Sequence, residues 1–213
     1  MLRKVNHRRF IKLAGVVIEE EEFGIISEWI DGDTLDKIIP RRIISVGEAM
    51  EWIEQLIEGI GWLHSLGIVH KDLKPSNIII SKTRGLVIID LGISAFVRLH
   101  NEEQQVLTTL FHRKGGSLLY KAPEMFEDKL HQNQREQVTT KSDVWSFASI
   151  VSEIFKGQPP TGFYEHVRVE KTYNKFYLYH ISPNITILRF LLNSCLQIDY
   201  KSRPHFQTIS NQF

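Results

Sequence analysis

The sequence predicts an α+β fold in which a short strand-forming front gives way to a mainly helical body. Three observations carry this. Residues 10–30 hold two apolar, β-branched runs around a charged tip. Residues 45–63 open on a helix start signal and then place an apolar residue every three or four positions. The second half of the chain repeats that helical spacing.

Taken in order, Phe10, Ile11, Leu13, Val16, Val17 and Ile18 alternate and cluster as a buried strand would, and the charge run from Glu19 to Glu22 reads as a solvated hairpin tip. Phe23 to Ile30 is the returning strand, which Asp31-Gly32-Asp33 breaks. Ser45-Val46-Gly47-Glu48 is a capping box, in which serine and glutamate satisfy opposite orphan amides. Ala49, Trp52, Ile53, Leu56, Ile57, Ile60 and Leu63 then form one apolar helix face, and Gly67 suits a left-handed stop. Ile68-Val69, Ile78-Ile79-Ile80 and Leu86 to Ile89 are short strands, the last two joined by a turn at Lys82 to Gly85. Val144, Phe147, Ala148, Val151, Ile154 and Phe155 keep helical spacing. Ile187 to Leu196 is nearly all apolar, as in a helix buried on most sides, and Pro204 suits the first turn of a last helix.

The 213 residues suffice for one full domain with a substantial core. A formal net charge of +1 gives no argument for nucleic acid or an anionic membrane as partner. Cys195 is the only cysteine, which excludes an internal disulfide and favours a reducing compartment; it reads as a small buried apolar group. No apolar run approaches the roughly 20 residues that cross a bilayer, and the nine histidines are too scattered for a zinc site. A cytoplasmic location, or a nuclear one, is the default expectation.

The chemistry is concentrated in His70-Lys71-Asp72-Leu73-Lys74-Pro75-Ser76-Asn77, followed thirteen residues later by Asp90-Leu91-Gly92. Each acid alone reads as a surface carboxylate or a helix cap. Together, on a loop between two β-branched runs and at the end of a strand, they are placed where a rigid frame positions catalytic groups. The string resembles the catalytic loop and metal-binding turn of the eukaryotic protein kinases, of the serine/threonine type. Gly116-Ser117-Leu118-Leu119-Tyr120-Lys121-Ala122-Pro123-Glu124 is similar to the end of their activation segment. Lys141-Ser142-Asp143-Val144-Trp145-Ser146-Phe147 resembles their central helix.

The resemblance implies a protein kinase-like fold: a remnant of the β-rich small lobe with the hinge over residues 1–30, and a mainly α-helical large lobe over 31–213. It implies ATP and Mg2+ as cofactors and a protein as substrate, whose serine or threonine hydroxyl receives the terminal phosphate. Asp72 would orient the hydroxyl and accept its proton, Lys74 would offset charge on the phosphate, and Asn77 and Asp90 would bind magnesium through hard oxygen ligands. Glu28 and Ile30 would bond adenine through the hinge backbone. His70 and Asp143 are structural, Asp143 anchoring the catalytic loop and Arg203 pairing with Glu124. Thr108, Thr109 and Ser117 lie in the activation segment; Thr108 and Thr109 are candidate phosphosites whose phosphate would pair with Lys71, a weaker partner than arginine. Lys74 and Ser117 point to serine/threonine specificity, and Trp145-Ser146-Phe147 with Cys195 to the tyrosine-kinase-like branch.

The front departs from the family. No Gly-x-Gly-x-x-Gly occurs, and Leu2 to His7 is similar to the end of the small-lobe helix. The expectation is that the helix glutamate lies just upstream of Met1, with the glycine-rich loop and the lysine before it. Three readings stand: a kinase whose chain is truncated, a kinase-like module that only binds partners, and a small-molecule phosphotransferase. The docking signature at Ala122-Pro123-Glu124 argues against the third. The remnant strands have unpaired edges, which invite self-association.

Overall fold

The longest amphipathic run forms the helix that organises the molecule. In the computed structural model, which describes residues 5–19, 22–100, 103–109, 118–125, 138–160 and 186–213, α2 spans Val46–Ser65 and buries Ala49, Trp52, Ile53, Leu56, Ile57, Ile60 and Leu63 along one face. That is the set its spacing predicts. Ser45 caps it, its hydroxyl accepting from the Glu48 amide. The reciprocal half of the capping box is not made, because the Glu48 carboxylate is taken in a two-pronged pair by Arg42 at 2.6 and 2.7 Å, a stronger, charge-assisted contact. Gly67 follows with φ +68°, as expected.

Ahead of α2 lie β1 (Leu13–Glu19), β2 (Glu22–Ser27), β3 (Gly32–Thr34), the short helix α1 (Leu35–Ile38) and a 3-10 turn at Ile39–Arg41. After it come β4 (Ile68–Val69), a 3-10 turn at Pro75–Asn77, β5 (Ile78–Ser81), β6 (Gly85–Ile88), β7 (Ala95–His100) and β8 (Glu103–Thr109). A 3-10 turn at Pro123–Met125, helix α3 (Thr140–Lys156), helix α4 (Thr186–Cys195), a 3-10 turn at Tyr200–Ser202 and helix α5 (Phe206–Ser210) complete the described elements.

The strands make three antiparallel sheets, ordered β1-β2, β3-β5-β6 and β4-β7-β8. One core lies between α2, α3, α5 and β6, and it takes in Phe10, Leu73, Leu91, Trp145, Phe147, Leu192 and Phe206. α3 is its centre, with fourteen of its seventeen residues buried. Its serines are accommodated because Ser146 and Ser149 donate to the carbonyls of Tyr120 and Trp145.

Several expectations are corrected. The first strand starts at Leu13, and Phe10 makes only an isolated bridge to Ile88. It is exposed rather than buried: Val16 and Ile18 are 56% and 77% accessible, because the β1-β2 sheet has two strands and nothing described covers it. Asp31-Gly32-Asp33 does not end strand structure, since Gly32–Thr34 pairs with Ile79–Ser81. A Cβ on Gly32 would sit 2.2 Å from the Ile80 carbonyl oxygen, so the close approach needs glycine. Within α4, Phe190 is 69% exposed, so that helix is less enclosed than its composition suggests. Pro204 lies before the N-cap His205 rather than in the first turn of α5.

Candidate active site

The loop at residues 70–77 is suspended between β4 and the N-terminal turns of α3. Asp143 is wholly buried and accepts three bonds: from the His70 amide at 2.7 Å, the Lys71 amide at 3.0 Å and His64 Nε2 at 2.8 Å. These hold Lys71 at φ +72°, the one non-glycine residue with positive φ among the described residues. A left-handed lysine costs about 1–2 kcal/mol, so the loop carries strain that Asp143 offsets. His70 is fully buried with its titration lowered by that burial, despite the nearby carboxylates of Asp143, Asp72 and Asp90. Its Nδ1 accepts from the Asp72 amide at 3.3 Å, and Ser94 Oγ donates to its carbonyl.

Past the strained residue, Leu73 turns into the core and Asp72 is partly buried. Asp72 Oδ2 receives Lys74 Nζ at 2.7 Å and Asn77 Nδ2 at 3.1 Å, and Asn77 Nδ2 also donates to the Asp72 carbonyl at 2.8 Å. Three of the residues singled out in the sequence therefore form one cluster. Asn77 spends its amide nitrogen on Asp72, so its Oδ1 is the hard oxygen it can offer a cation. The Ile89 amide bonds the Asn77 carbonyl at 3.0 Å, so the next residue, Asp90, follows directly beside this cluster. Asp90 Oδ1 accepts the Gly92 amide at 2.7 Å. Leu91 is buried, as an apolar residue at that position is expected to be. An amide oxygen and an exposed carboxylate are the ligand types magnesium takes, so this pair fits the ion.

Glu28 and Ile30, expected to form a hinge, lie between β2 and β3. The Glu28 amide is used by the Lys12 carbonyl at 3.0 Å, so only its carbonyl is available to a ligand. Its side chain accepts the Lys12 amide and Arg84 Nη1, at 2.9 and 2.6 Å. Burial raises the titration of that carboxyl, but the Arg84 and Lys12 bonds outweigh it and hold it below the ordinary range. Ile30 is buried and Trp29 is exposed.

Glu124 and Arg203 meet in a fork, Nη1 to Oε1 and Nη2 to Oε2, both at 2.8 Å. Arg203 is buried and also donates to the carbonyls of Gln197 and Lys141, while its guanidinium lies 5.0 Å over the Trp145 ring. Thr108 and Thr109 lie on β8, paired with Phe96 and Ala95 of β7. Ser117 falls outside the described residues. A cleft of about 360 Å³ between residues 39–44 and 154–157 is lined by none of these residues. Cys195 is buried, its thiol pushed up to about 12 by that burial.

Sequence reasoning missed four participants. His64 ends α2 and supports Asp143, and nothing in its spacing marks it. Arg84 looks like an ordinary turn residue. Tyr120 and Glu153 form a buried pair at 2.5 Å, in which burial raises both groups; a glutamate beside the apolar positions of a core helix was the available signal.

Helix-anchored loop, α+β frame and Arg–Glu fork define the class of protein. The family described as protein kinase domain matches the chain over residues 1–213, and the chain belongs to that family, with its protein kinase-like fold. Among its relatives is receptor-interacting serine/threonine-protein kinase 1 of Homo sapiens, 30% identical over 230 residues, covering 100% of this chain and 33% of that protein. Another is the probable casein kinase II subunit alpha homolog of Encephalitozoon cuniculi, 29% identical over 163 residues (75% of this chain, 46% of that protein). CBL-interacting protein kinase 9 of Oryza sativa subsp. japonica is 29% identical over 160 residues, 75% of this chain and 33% of that protein. The chain spans less than half the length of each of these relatives. No helix among the described residues is long and apolar enough to cross a membrane.

Proposed function

We propose that the chain is the catalytic region of a serine/threonine protein kinase that transfers the terminal phosphate of ATP to a protein hydroxyl. One observation carries it: Asp143 holds a strained loop that gathers Asp72, Lys74 and Asn77 through a shared carboxylate oxygen. In this reading residues 1–30 are small-lobe remnant and hinge, and 31–213 the large lobe. The Glu28 carbonyl and the Ile30 amide bond adenine.

Asn77 Oδ1 and the Asp90 carboxylate hold magnesium, which when bound neutralises charge on the phosphates. Asp72 orients the substrate hydroxyl and takes its proton as the new oxygen–phosphorus bond forms and the terminal phosphate's bond to ADP breaks, releasing ADP. Lys74, which sits on Asp72 here, offsets charge on the transferred group. Thr108, Thr109 and Ser117 are the activation-segment residues. The partners are a protein substrate and ATP. Neither nucleic acid nor membrane is among them, in keeping with the net charge of +1. A cytoplasmic location suits a chain with one cysteine, and the exposed apolar faces of β1-β2 support self-association.

The test is phosphate transfer to a serine/threonine peptide mixture together with Mg-ATP titration. Asp72→Asn should lower transfer about 10²- to 10⁴-fold while retaining Mg-ATP affinity. Turnover that ignores this substitution refutes the reading. A second reading is a kinase-like module that only binds partners; Mg-ATP binding without transfer by the chain as it stands would support it.

A further inference from the structure

Arg84, at the tip of the β5-β6 hairpin, is an interaction hub away from the loop at residues 70–77. Its Nη1 donates to Glu28 Oε1 at 2.6 Å, and its Nη2 donates to the carbonyls of Arg8 at 2.9 Å and Phe10 at 3.2 Å. Its own carbonyl accepts Arg9 Nη1 at 2.9 Å. Arg9 in turn is buried, pairing with Glu58 of α2 at 2.9 Å. The same turn holds the far side of the hinge, because the Lys82 amide donates to the Asp31 carbonyl at 3.2 Å. β3 then pairs with β5 from Gly32–Ser81 onward. Residues 28 and 31, which bracket Trp29 and Ile30, are thus both tied to one turn.

The base of that hairpin carries the other half of the site. β5 begins directly after Asn77, and β6 leads through Ile89 to Asp90. The four rungs Ile78–Ile88, Ile79–Val87, Ile80–Leu86 and Ser81–Gly85 join the strands, and the Ile89–Asn77 bond closes the base. A short paired ladder with a buried face transmits position with little flexure. We propose that Arg84 is a positioning residue for nucleotide binding: through Glu28 it fixes the hinge in register with the hairpin that carries Asn77 and Asp90. The inference rests on the kinase reading for what the hinge binds, but the mechanical link stands on the bonds themselves.

An arginine is needed for geometric reasons. One planar fork serves a carboxylate and two carbonyls that face it from different segments, and a lysine ammonium cannot span all three. An isolated ion pair of this exposure contributes little. The carbonyls of Arg8 and Phe10 make the difference, because they join the pair to backbone already packed on α2 and β6.

The experiment uses the 213-residue chain with Arg84→Ala and Arg84→Lys. Amide exchange is read at Glu28 and Lys82, whose amides bond the Lys12 and Asp31 carbonyls, and binding with two probes, adenosine and magnesium tripolyphosphate. Losing a charged hydrogen bond corresponds to a change of about tenfold. Exchange at Glu28 and Lys82 should therefore rise by about that factor in both variants, with α2 and α3 unaffected. Adenosine affinity should fall similarly while magnesium tripolyphosphate affinity holds. Unchanged hinge exchange, full rescue by lysine, or equal loss of both probes overturns the proposal. If the unmodified chain binds neither probe, the kinase reading fails, and the exchange data alone still decide whether Arg84 holds the hinge.

Discussion

Replacing Asp143 by asparagine isolates the element on which the catalytic loop hangs. Oδ2 takes the His70 amide and His64 Nε2, and Oδ1 takes the Lys71 amide. An asparagine that keeps its carbonyl on the first pair must turn its NH2 toward the Lys71 N–H. Orphaning that buried donor costs about 1–3 kcal/mol, and the two remaining bonds lose their charge assistance at about 1 kcal/mol each. Relaxation of Lys71 out of φ +72° returns about 1–2 kcal/mol. The net is a loss of roughly 3 kcal/mol, a fall in Tm of about 6–12 °C for a chain of this length.

The decisive measurement is a double-mutant cycle with Lys71→Gly, read by thermal and urea unfolding. Glycine adopts the left-handed backbone without the Cβ penalty, so it should stabilise the parent chain and lose that benefit once Asp143→Asn has released the loop. A coupling of about 1–2 kcal/mol is expected. Additive effects would show that Asp143 is not what holds Lys71 in its strained state.

Arg203→Lys leaves at least two of the acceptors now served by the guanidinium unpaired, and should cost roughly 3 kcal/mol by urea unfolding; a loss under about 1 kcal/mol contradicts the fork geometry. Gly32→Ala forces a Cβ against the Ile80 carbonyl and should cost about 1–3 kcal/mol, with faster amide exchange in β3 and β5. Burial lowers His70 in the folded chain below its ordinary 6.5, so the unfolded chain binds more protons below that pH. The associated stability is complete above pH 6.5 and is lost as pH falls toward the folded value. Tm should drop on acidification, with a flatter slope in His70→Phe. Val16 and Ile25 face each other across β1-β2 and are both exposed; Val16→Lys with Ile25→Glu should abolish concentration-dependent sedimentation if that face self-associates, and an unchanged profile rules this surface out.

Much of this molecule is local enough to be read along the chain. The α2 face, the αL stop at Gly67 and the turn at Lys82 to Gly85 follow from periodicity and glycine or turn chemistry, both short-range. The catalytic string was legible because its residues sit within twenty-one positions of one another, on one loop and the strand end that follows. The β7-β8 hairpin was not read from the sequence, since it carries no turn signal of the Asn-Gly kind and β4 offers it a partner about thirty residues away. The capping box was half wrong for a related reason. Arg42 competes for Glu48 with a fork that no local rule anticipates.

By itself the sequence determined which acidic, basic and amide groups the loop and the strand end carry and the order in which they occur, because residue type and spacing decide what a loop can present. Tertiary structure alone decided how they are held: a buried carboxylate 72 and 73 residues along the chain straining Lys71 into place, and a turn arginine gripping the hinge 56 residues before it. Such contacts depend on which surfaces the folded core brings face to face, and side chains distant in sequence leave no periodic trace of meeting.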